Sequence, residues 1–265
     1  MKSAVHLETP FHAFATAIAD NAATEYAFLA SFLSPSTLVV NLPILFSTIF
    51  TPVFEMAQTF TKKLVGDTTD CLALLLCIRT TQQQAFFLQR RKCPGADGWI
   101  NGTNMLLWPK FQNAMDIHVE SVKRMTENAS SSLRASTSLI SSKGDGTVNI
   151  SPHPISQRYA QLVHGILTLS NIPLRPTDAQ KGPMTDDSAI LGSDVEPVGQ
   201  SLDRLRNEVD LFLRKIAGAV GPSRKNRFLA NNYSLIMTII GDTKGKLAHE
   251  QQQWLRDKLE ETSGP

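Results

Sequence analysis

The chain is 265 residues long and carries 26 Lys and Arg against 24 Asp and Glu, a formal net charge of +2. That balance offers no electrostatic footprint for nucleic acid or an acidic substrate, and the length supports a hydrophobic core without disulfides or metal. The 3 cysteines, Cys71, Cys77 and Cys93, are odd in number and match no zinc or redox spacing, which points to a reducing, cytosolic compartment and to no cofactor.

The opening MKSAVHLETPF has neither the apolar core nor the cleavage pattern of a signal peptide. From Thr9, with Pro10 at the first helical position, Phe11, Phe14, Ile18, Ala22, Tyr26, Leu29 and Leu33 recur on helical spacing and predict a long helix closed by Ser34-Pro35-Ser36. A second helix runs through Phe46, Ile49, Phe50, Val53, Phe54, Ala57, Phe60 and Leu64, with bends expected at Pro43 and Pro52 and an end at Gly66. Through residue 61 the only formal charges are Lys2, Glu8, Asp20, Glu25 and Glu55, so these helices are either deeply buried or await a partner surface. The stretch from Leu38 to Ala57 comes nearest to a membrane span, but Asn41, Pro43, Pro52 and Glu55 interrupt it.

Asp67, Thr68 or Thr69 is placed to cap a third helix, whose opening CLALLLCI is apolar all round and therefore central. That helix ends on Arg90-Arg91-Lys92 before Cys93-Pro94-Gly95. Three cations at a helix C-terminus suit its dipole, so a solvated cap is favoured over an anion or partner site. Next, Trp108, Phe111, Met115, Val119 and Val122 form one stripe of an organising helix predicted to start at Pro109, with WINGTNMLL a separate shorter segment. Full burial of Trp108 would make Trp108→Ala cost about 3–5 kcal/mol.

Residues 127–153 are serine-rich and read as a flexible insertion. Pro154 starts a helix with Ile155, Tyr159, Leu162, Ile166 and Leu169 as its stripe, and residues 172–199, with four prolines, read as a second loop. Ser201 is placed to cap a helix carrying Leu202, Leu205, Val209, Phe212, Ile216 and Val220. Beyond Pro222, the cations Arg224, Lys225 and Arg227 open a helix where the dipole disfavours them. Continuation from the preceding helix through a bend removes that conflict, and an acidic partner or anionic lipid surface is the alternative. In the same helix Asn231 and Asn232 oppose its propensity, which suggests one in solvent and one bonding across an interface. Gly241 is a natural C-cap, and Asp242 or Thr243 a natural N-cap for a last helix with Leu247, Trp254 and Leu255. The pattern is all-α.

No nucleophile elbow, P-loop or dinucleotide fingerprint is present, and Gln253 stands where a zinc-protease motif at His249-Glu250 would need its second histidine. The Asn-X-Ser/Thr matches at Asn101, Asn128, Asn149 and Asn232 are too short a pattern to carry an argument.

Several blocks, in order, resemble the vacuolar protein sorting-associated protein 52 family: Glu25-Tyr26-Ala27-Phe28; DCLALLLCIR with Cys77 and Arg79; NMLLWPKFQ with Leu107, Trp108, Pro109 and Phe111; PHPISQRYA with Arg158 and Tyr159; EVDLFLRKIA; and RFLANNYSLI with Phe228, Leu229, Asn231, Asn232 and Tyr233. The resemblance implies an elongated helical bundle or rod and a non-enzymatic subunit of the Golgi-associated and endosome-associated retrograde tethering complexes. Implied partners are the other tether subunits, SNARE proteins and Rab-type small GTPases, with peripheral attachment to the cytosolic face of the trans-Golgi network and endosomes and no nucleic acid. On this reading residues 1–126 form an N-terminal bundle, 127–153 an insertion, 154–171 a helix continuing the bundle, 172–199 a loop, and 200–265 a C-terminal segment truncated relative to the family. The family's N-terminal coiled coil is missing, as expected of a fragment or shortened gene model. A helical adaptor or peripheral lipid-binding module outside a tether is the alternative.

Overall fold

The computed structural model describes residues 6–33, 42–128, 150–172, 188–220 and 222–263, with backbone alone for 188–195, 222, 223 and 263. Among these, the elements in chain order are α1 (Glu8–Leu33), α2 (Leu42–Leu64), α3 (Cys71–Arg90), a 3-10 turn (Pro94–Ala96), α4 (Asp97–Glu127), α5 (Pro154–Ser170), α6 (Ser188–Val220), α7 (Pro222–Ile240) and α8 (Lys246–Ser263), with no strand. The all-α class read from periodicity is the class observed. Two compact units divide the chain, Met1–Ala114 with Ile172–Gly182, and Met115–Asn171 with Pro183–Pro265.

In the first unit α1 runs antiparallel to α2, since Phe14 meets Phe60 at 4.4 Å between ring centroids and Tyr26 meets Phe46 edge-on at 5.2 Å. It runs parallel to α3, because Gln84 Nε2 donates to Thr16 Oγ1 at 3.0 Å and Cys93 Sγ lies 3.8 Å from the Ala22 carbonyl. Phe11, Ile18, Ala22, Leu29 and Leu33 are buried as their spacing requires, and Ala15, Ala19 and Ala23 keep neighbouring backbones close. The opening of α3 is buried almost continuously from Cys71 to Gln82, as an apolar run lacking a polar face demands. Its cap falls on Asp70, whose Oδ1 accepts from the Leu72 and Ala73 amides at 3.0 and 3.1 Å. The expected caps are corrected: Thr68 Oγ1 accepts from the Asp70 amide instead, which orients the true cap, and Asp67 and Thr69 stay in solvent.

Two helix boundaries move outward across prolines. The organising helix is one continuous α4 from Asp97, with Pro109 inside it, so WINGTNMLL is not a separate segment. Proline deprives the Met105 carbonyl of its helical donor. Met105 is 78% exposed and Pro109 is in solvent, so the interruption falls on the open face of the helix. The buried stripe therefore begins earlier, through Trp99, Ile100, Thr103, Leu107, Phe111, Ala114, Met115 and Val122, while Trp108 and Val119 are only half-buried. Likewise α6 begins at Ser188 and contains Pro197, so 188–199 are helical and not loop. Ser201 is not a cap: its hydroxyl bonds back to the Pro197 carbonyl at 2.9 Å. Of the two expected loops, 129–149 and 173–187 lie outside the described residues.

In the second unit α7 packs on α5, α6 and α8. Residue 221, between α6 and α7, lies outside the described residues, and with it the expected bend. The last turn of α7 is closed by Gln252 of α8, whose Nε2 donates to the carbonyls of Ile240, Gly241 and Thr243 at 3.0, 3.2 and 3.0 Å. Asp242 and Thr243 belong to that turn rather than capping α8, which starts after Gly245. Gly245 has φ 105, a conformation that glycine alone adopts readily, and a Cβ there would sit 2.8 Å from Asn171 Oδ1.

Candidate interaction surface

The residues that carry the family resemblance fall into two groups, one in each unit. In the first, Cys77 and Leu107 are fully buried and Arg79 is 7% exposed, reaching Gln82 Oε1 at 2.9 Å and the Ile172 carbonyl at 2.6 Å. Phe111 is buried with Trp108 set edge-on against it at 5.9 Å, and neighbouring Lys110 donates to the Gly66 carbonyl, which ties the α2–α3 turn to α4. Tyr26 packs on Phe46, whereas Glu25 and Phe28 point into solvent. Burial keeps the thiols protonated, with Cys71 and Cys93 pushed up to about 11 and Cys77 to about 12.

In the second unit the blocks PHPISQRYA and RFLANNYSLI meet at the start of α5. Asn232 is fully buried; its Oδ1 accepts from the His153 amide at 2.8 Å and the Ser156 hydroxyl at 2.7 Å, and its Nδ2 donates to the Phe228 carbonyl at 2.8 Å. Every polar atom of that amide has a partner, so it welds α7 to α5. Asn231, half-buried, donates to the Ile150 carbonyl at 2.9 Å. His153 caps α5, its Nδ1 accepting from the Ile155 amide at 3.1 Å. Burial, helped by nearby Arg158, holds this imidazole below its ordinary value and hence neutral, as an acceptor must be. Phe228 and Leu229 are core residues, Arg158 is exposed, and Tyr159 is buried, which pushes its phenol up.

Tyr233 begins a second polar chain. Its hydroxyl donates to Asp210 Oδ1, Arg214 holds Asp210 Oδ2 at 2.8 Å and Glu261 at 3.2 Å, and Lys258 also binds Glu261 at 2.8 Å. Burial, then the bond to Asp210, pushes the Tyr233 phenol up. Arg206 and Lys258 both stack on Trp254, at 4.8 and 5.6 Å from its ring centroid. These contacts join α6, α7 and α8.

The candidate surface cations fall in different units. Arg90, Arg91 and Lys92 lie exposed in the first unit, Arg90 over Phe86 and Arg91 over Phe87, while Lys225 and Arg227, exposed, and Arg224, half-buried, open α7 in the second. Of the two outcomes left open for the charge-poor α1 and α2, burial or an uncovered surface, the structure shows large apolar side chains in solvent: Phe28 61%, Phe32 71%, Ile44 67%, Ile49 46% and Met56 56% exposed. The signal was available, because Phe28 and Phe32 fall off the stripe of α1 and share their face with a single charge, Glu25.

An open groove of about 910 Å³ in the second unit is edged by Asp116, Glu120, Arg124 and Arg204, but these are paired with one another, Arg204 to Asp116 at 2.6 Å and Arg124 to Glu120 at 3.6 Å. Among the described residues no three of His, Cys, Asp or Glu gather to hold a metal, and no helix is long and apolar enough to cross a membrane. What these residues build is a helical scaffold, with its polar side chains spent on caps and cross-links. Residues 2–264 match the family model described as Vps52, C-terminal, and the chain belongs to that family. It is 28% identical over 261 residues to vacuolar protein sorting-associated protein 52 of Schizosaccharomyces pombe, covering 97% of this chain and 44% of the relative. Against the Saccharomyces cerevisiae protein of the same name it is 28% identical over 230 residues, covering 86% and 33%. Against the Homo sapiens homolog it is 24% identical over 230 residues, covering 84% and 26%. The chain thus spans less than half the length of these relatives, and no solved structure matches it.

Proposed function

We propose that the chain is a non-enzymatic scaffold subunit of a vesicle-tethering complex that acts in retrograde transport from endosomes to the trans-Golgi network. Its partners on this reading are the other tether subunits, with SNARE proteins and Rab-type small GTPases as further contacts and peripheral attachment to the cytosolic face of the membrane. The observation that carries the reading is the family match over residues 2–264. The chemistry is compatible with it: the resemblance blocks hold helices together instead of lining a reactive pocket. Such a scaffold works by keeping separate weak contacts at fixed spacing, so that binding at one raises the effective concentration at the next.

The test is capture from cell extract with this chain as bait, read by mass spectrometry, after circular dichroism has shown the bait to be helical. Recovery of the other retrograde-tether subunits supports the reading, and their absence from a folded bait overturns it. A helical adaptor outside a tether is the second reading, favoured by the exposed apolar side chains of α1 and α2; such a bait would return partners with no tether subunit among them.

A further inference from the structure

The α1–α2 hairpin has one covered face and one bare face. Around α1, Phe28 and Phe32 lie about 120–160° from Thr16, the residue that meets α3; around α2, Leu45, Ile49 and Met56 lie about 140–180° from Phe54, which stacks on Trp99 of α4 at 5.7 Å. The antiparallel pairing of Phe14 with Phe60 and Tyr26 with Phe46 sets Phe28 level with Leu45 and fixes the hand. Phe28, Phe32, Leu45, Ile49 and Met56 therefore share the side of the hairpin opposite α3 and the start of α4. They are 61%, 71%, 38%, 46% and 56% exposed, too much contiguous apolar surface to be incidental. On α2 the spacing of Leu45, Ile49, exposed Pro52 and Met56 is i, i+4, i+7, i+11, the pattern of a helix that expects another helix alongside.

Charge selects the occupant. Residues 26–54 contain no Asp, Glu, Lys or Arg, and the charges nearest the bare face are the exposed carboxylates of Asp20, Glu25 and Glu55. None of the three enters an ion pair among the described residues. Lys62 and Lys63 come only in the last turn of α2, about 10 Å beyond Met56 by the helical rise. A second copy of the chain would set carboxylate against carboxylate, an anionic lipid surface would be repelled, and the basic triplet Arg90-Arg91-Lys92 belongs to α3, on the covered side. We propose that the bare face of the α1–α2 hairpin docks one amphipathic helix of a partner protein, with its apolar stripe along the groove between Phe28 and Ile49 and lysine or arginine flanks facing Glu25 and Glu55. The docked helix completes the layer that α3 and α4 complete on the other side. The inference does not depend on the tether assignment, and its test uses purified components.

The probe is a fluorescein-labelled helical peptide about six turns long with a leucine stripe and lysine flanks, compared by anisotropy with a peptide of the same stripe and glutamate flanks. The purified chain should bind the lysine-flanked peptide about tenfold more tightly at low salt, and the double variant Phe28→Ser/Met56→Ser should lose that binding with its circular dichroism unchanged. Glu25→Lys/Glu55→Lys, at exposed unpaired positions, should reverse the preference between the peptides. Failure to bind either peptide, equal binding of both, or binding that survives Phe28→Ser/Met56→Ser overturns the proposal. So does a dimer in light scattering that the double variant abolishes, which gives the face to a second copy, or flotation with phosphatidylcholine–phosphatidylserine vesicles that it abolishes, which gives it to lipid.

Discussion

In the first unit α1, α2 and α3 meet through aromatic rings and alanines, with few polar contacts between elements, among them Gln84 with Thr16 and Lys110 with the Gly66 carbonyl. In the second, most helices are joined by directional bonds: Asn232 to Ser156 and the His153 amide, Tyr233 to Asp210, Arg214 to Glu261, Lys215 to the Thr126 carbonyl. Apolar packing is tolerant of what lies alongside, so a unit built that way can leave one face bare for a partner. A hydrogen-bonded unit specifies a single arrangement, because each polar atom it buries is costly unless its partner is in place. The first unit should therefore respond to loss of volume, and the second to loss of single polar atoms and to pH. Hydrogen exchange read by mass spectrometry reports on each separately.

The largest effect should come from volume. Phe111 is fully buried, and Phe111→Ala should cost about 3–5 kcal/mol, with lost protection concentrated in the first unit. Trp108 is only half-buried, so Trp108→Ala should cost about 2 kcal/mol, well below the figure for a buried tryptophan. Equal costs for the two in urea titration would mean that the face of α4 has been assigned wrongly. In the second unit Asn232→Ala removes few atoms but strands the Ser156 hydroxyl and the His153 amide, and should cost about 2–3 kcal/mol. Asn231→Ala, at a half-buried position with a single bond, should cost under about 1 kcal/mol.

The sequence showed the class and most of the helices because periodicity is a local property. The stripes of α1 and α5 were read where they lie, down to Leu29 and Ile166. Boundaries failed at two of the prolines inside helices, Pro109 and Pro197, though not at Pro52, because the cost of one missing donor is offset by burial of residues on both sides, which no local rule weighs. The asparagine pair was legible as an anomaly, but its partners were not, since Ser156 lies 76 residues from Asn232. The bare face had a legible half. Absence of charge through α1 and α2 announced an unsatisfied surface, but only the helix directions fixed by Phe14–Phe60 and Tyr26–Phe46 show that Phe28 and Met56 share it.

A pH effect should be confined to the second unit. His153 has its folded value below the ordinary 6.5, so the unfolded chain takes up a proton before the folded one does. Its contribution to stability is complete above that ordinary value and is lost as pH falls through it toward the folded value, where the Nδ1 that caps α5 acquires a proton and stops accepting. His153→Asn keeps an acceptor at the N-cap and removes the titration, so denaturation midpoints measured across this range should flatten in the variant. An unchanged slope would place the pH dependence on another group.

The smallest effect separates two accounts of the cations that end α3. Lys92 has φ 53, and the bonds from its amide to the Gln89 carbonyl and from the Cys93 amide to the Leu88 carbonyl make the αL cap in which glycine is usual. A β-carbon in that conformation costs about 1 kcal/mol, while the charge at the helix C-terminus contributes about 0.3–1 kcal/mol when exposed. Lys92→Gly relieves the first and gives up the second, so the net change should be a stabilisation of a few tenths of a kcal/mol. Lys92→Ala gives up the charge and keeps the strain, so it should destabilise, leaving the two variants about 1 kcal/mol apart. Added salt should shrink the loss in Lys92→Ala and leave the gap between the variants intact, because the gap is steric and the charge is screened. If instead both variants lose stability equally, the αL position carries no strain and the Arg90-Arg91-Lys92 run contributes through charge alone.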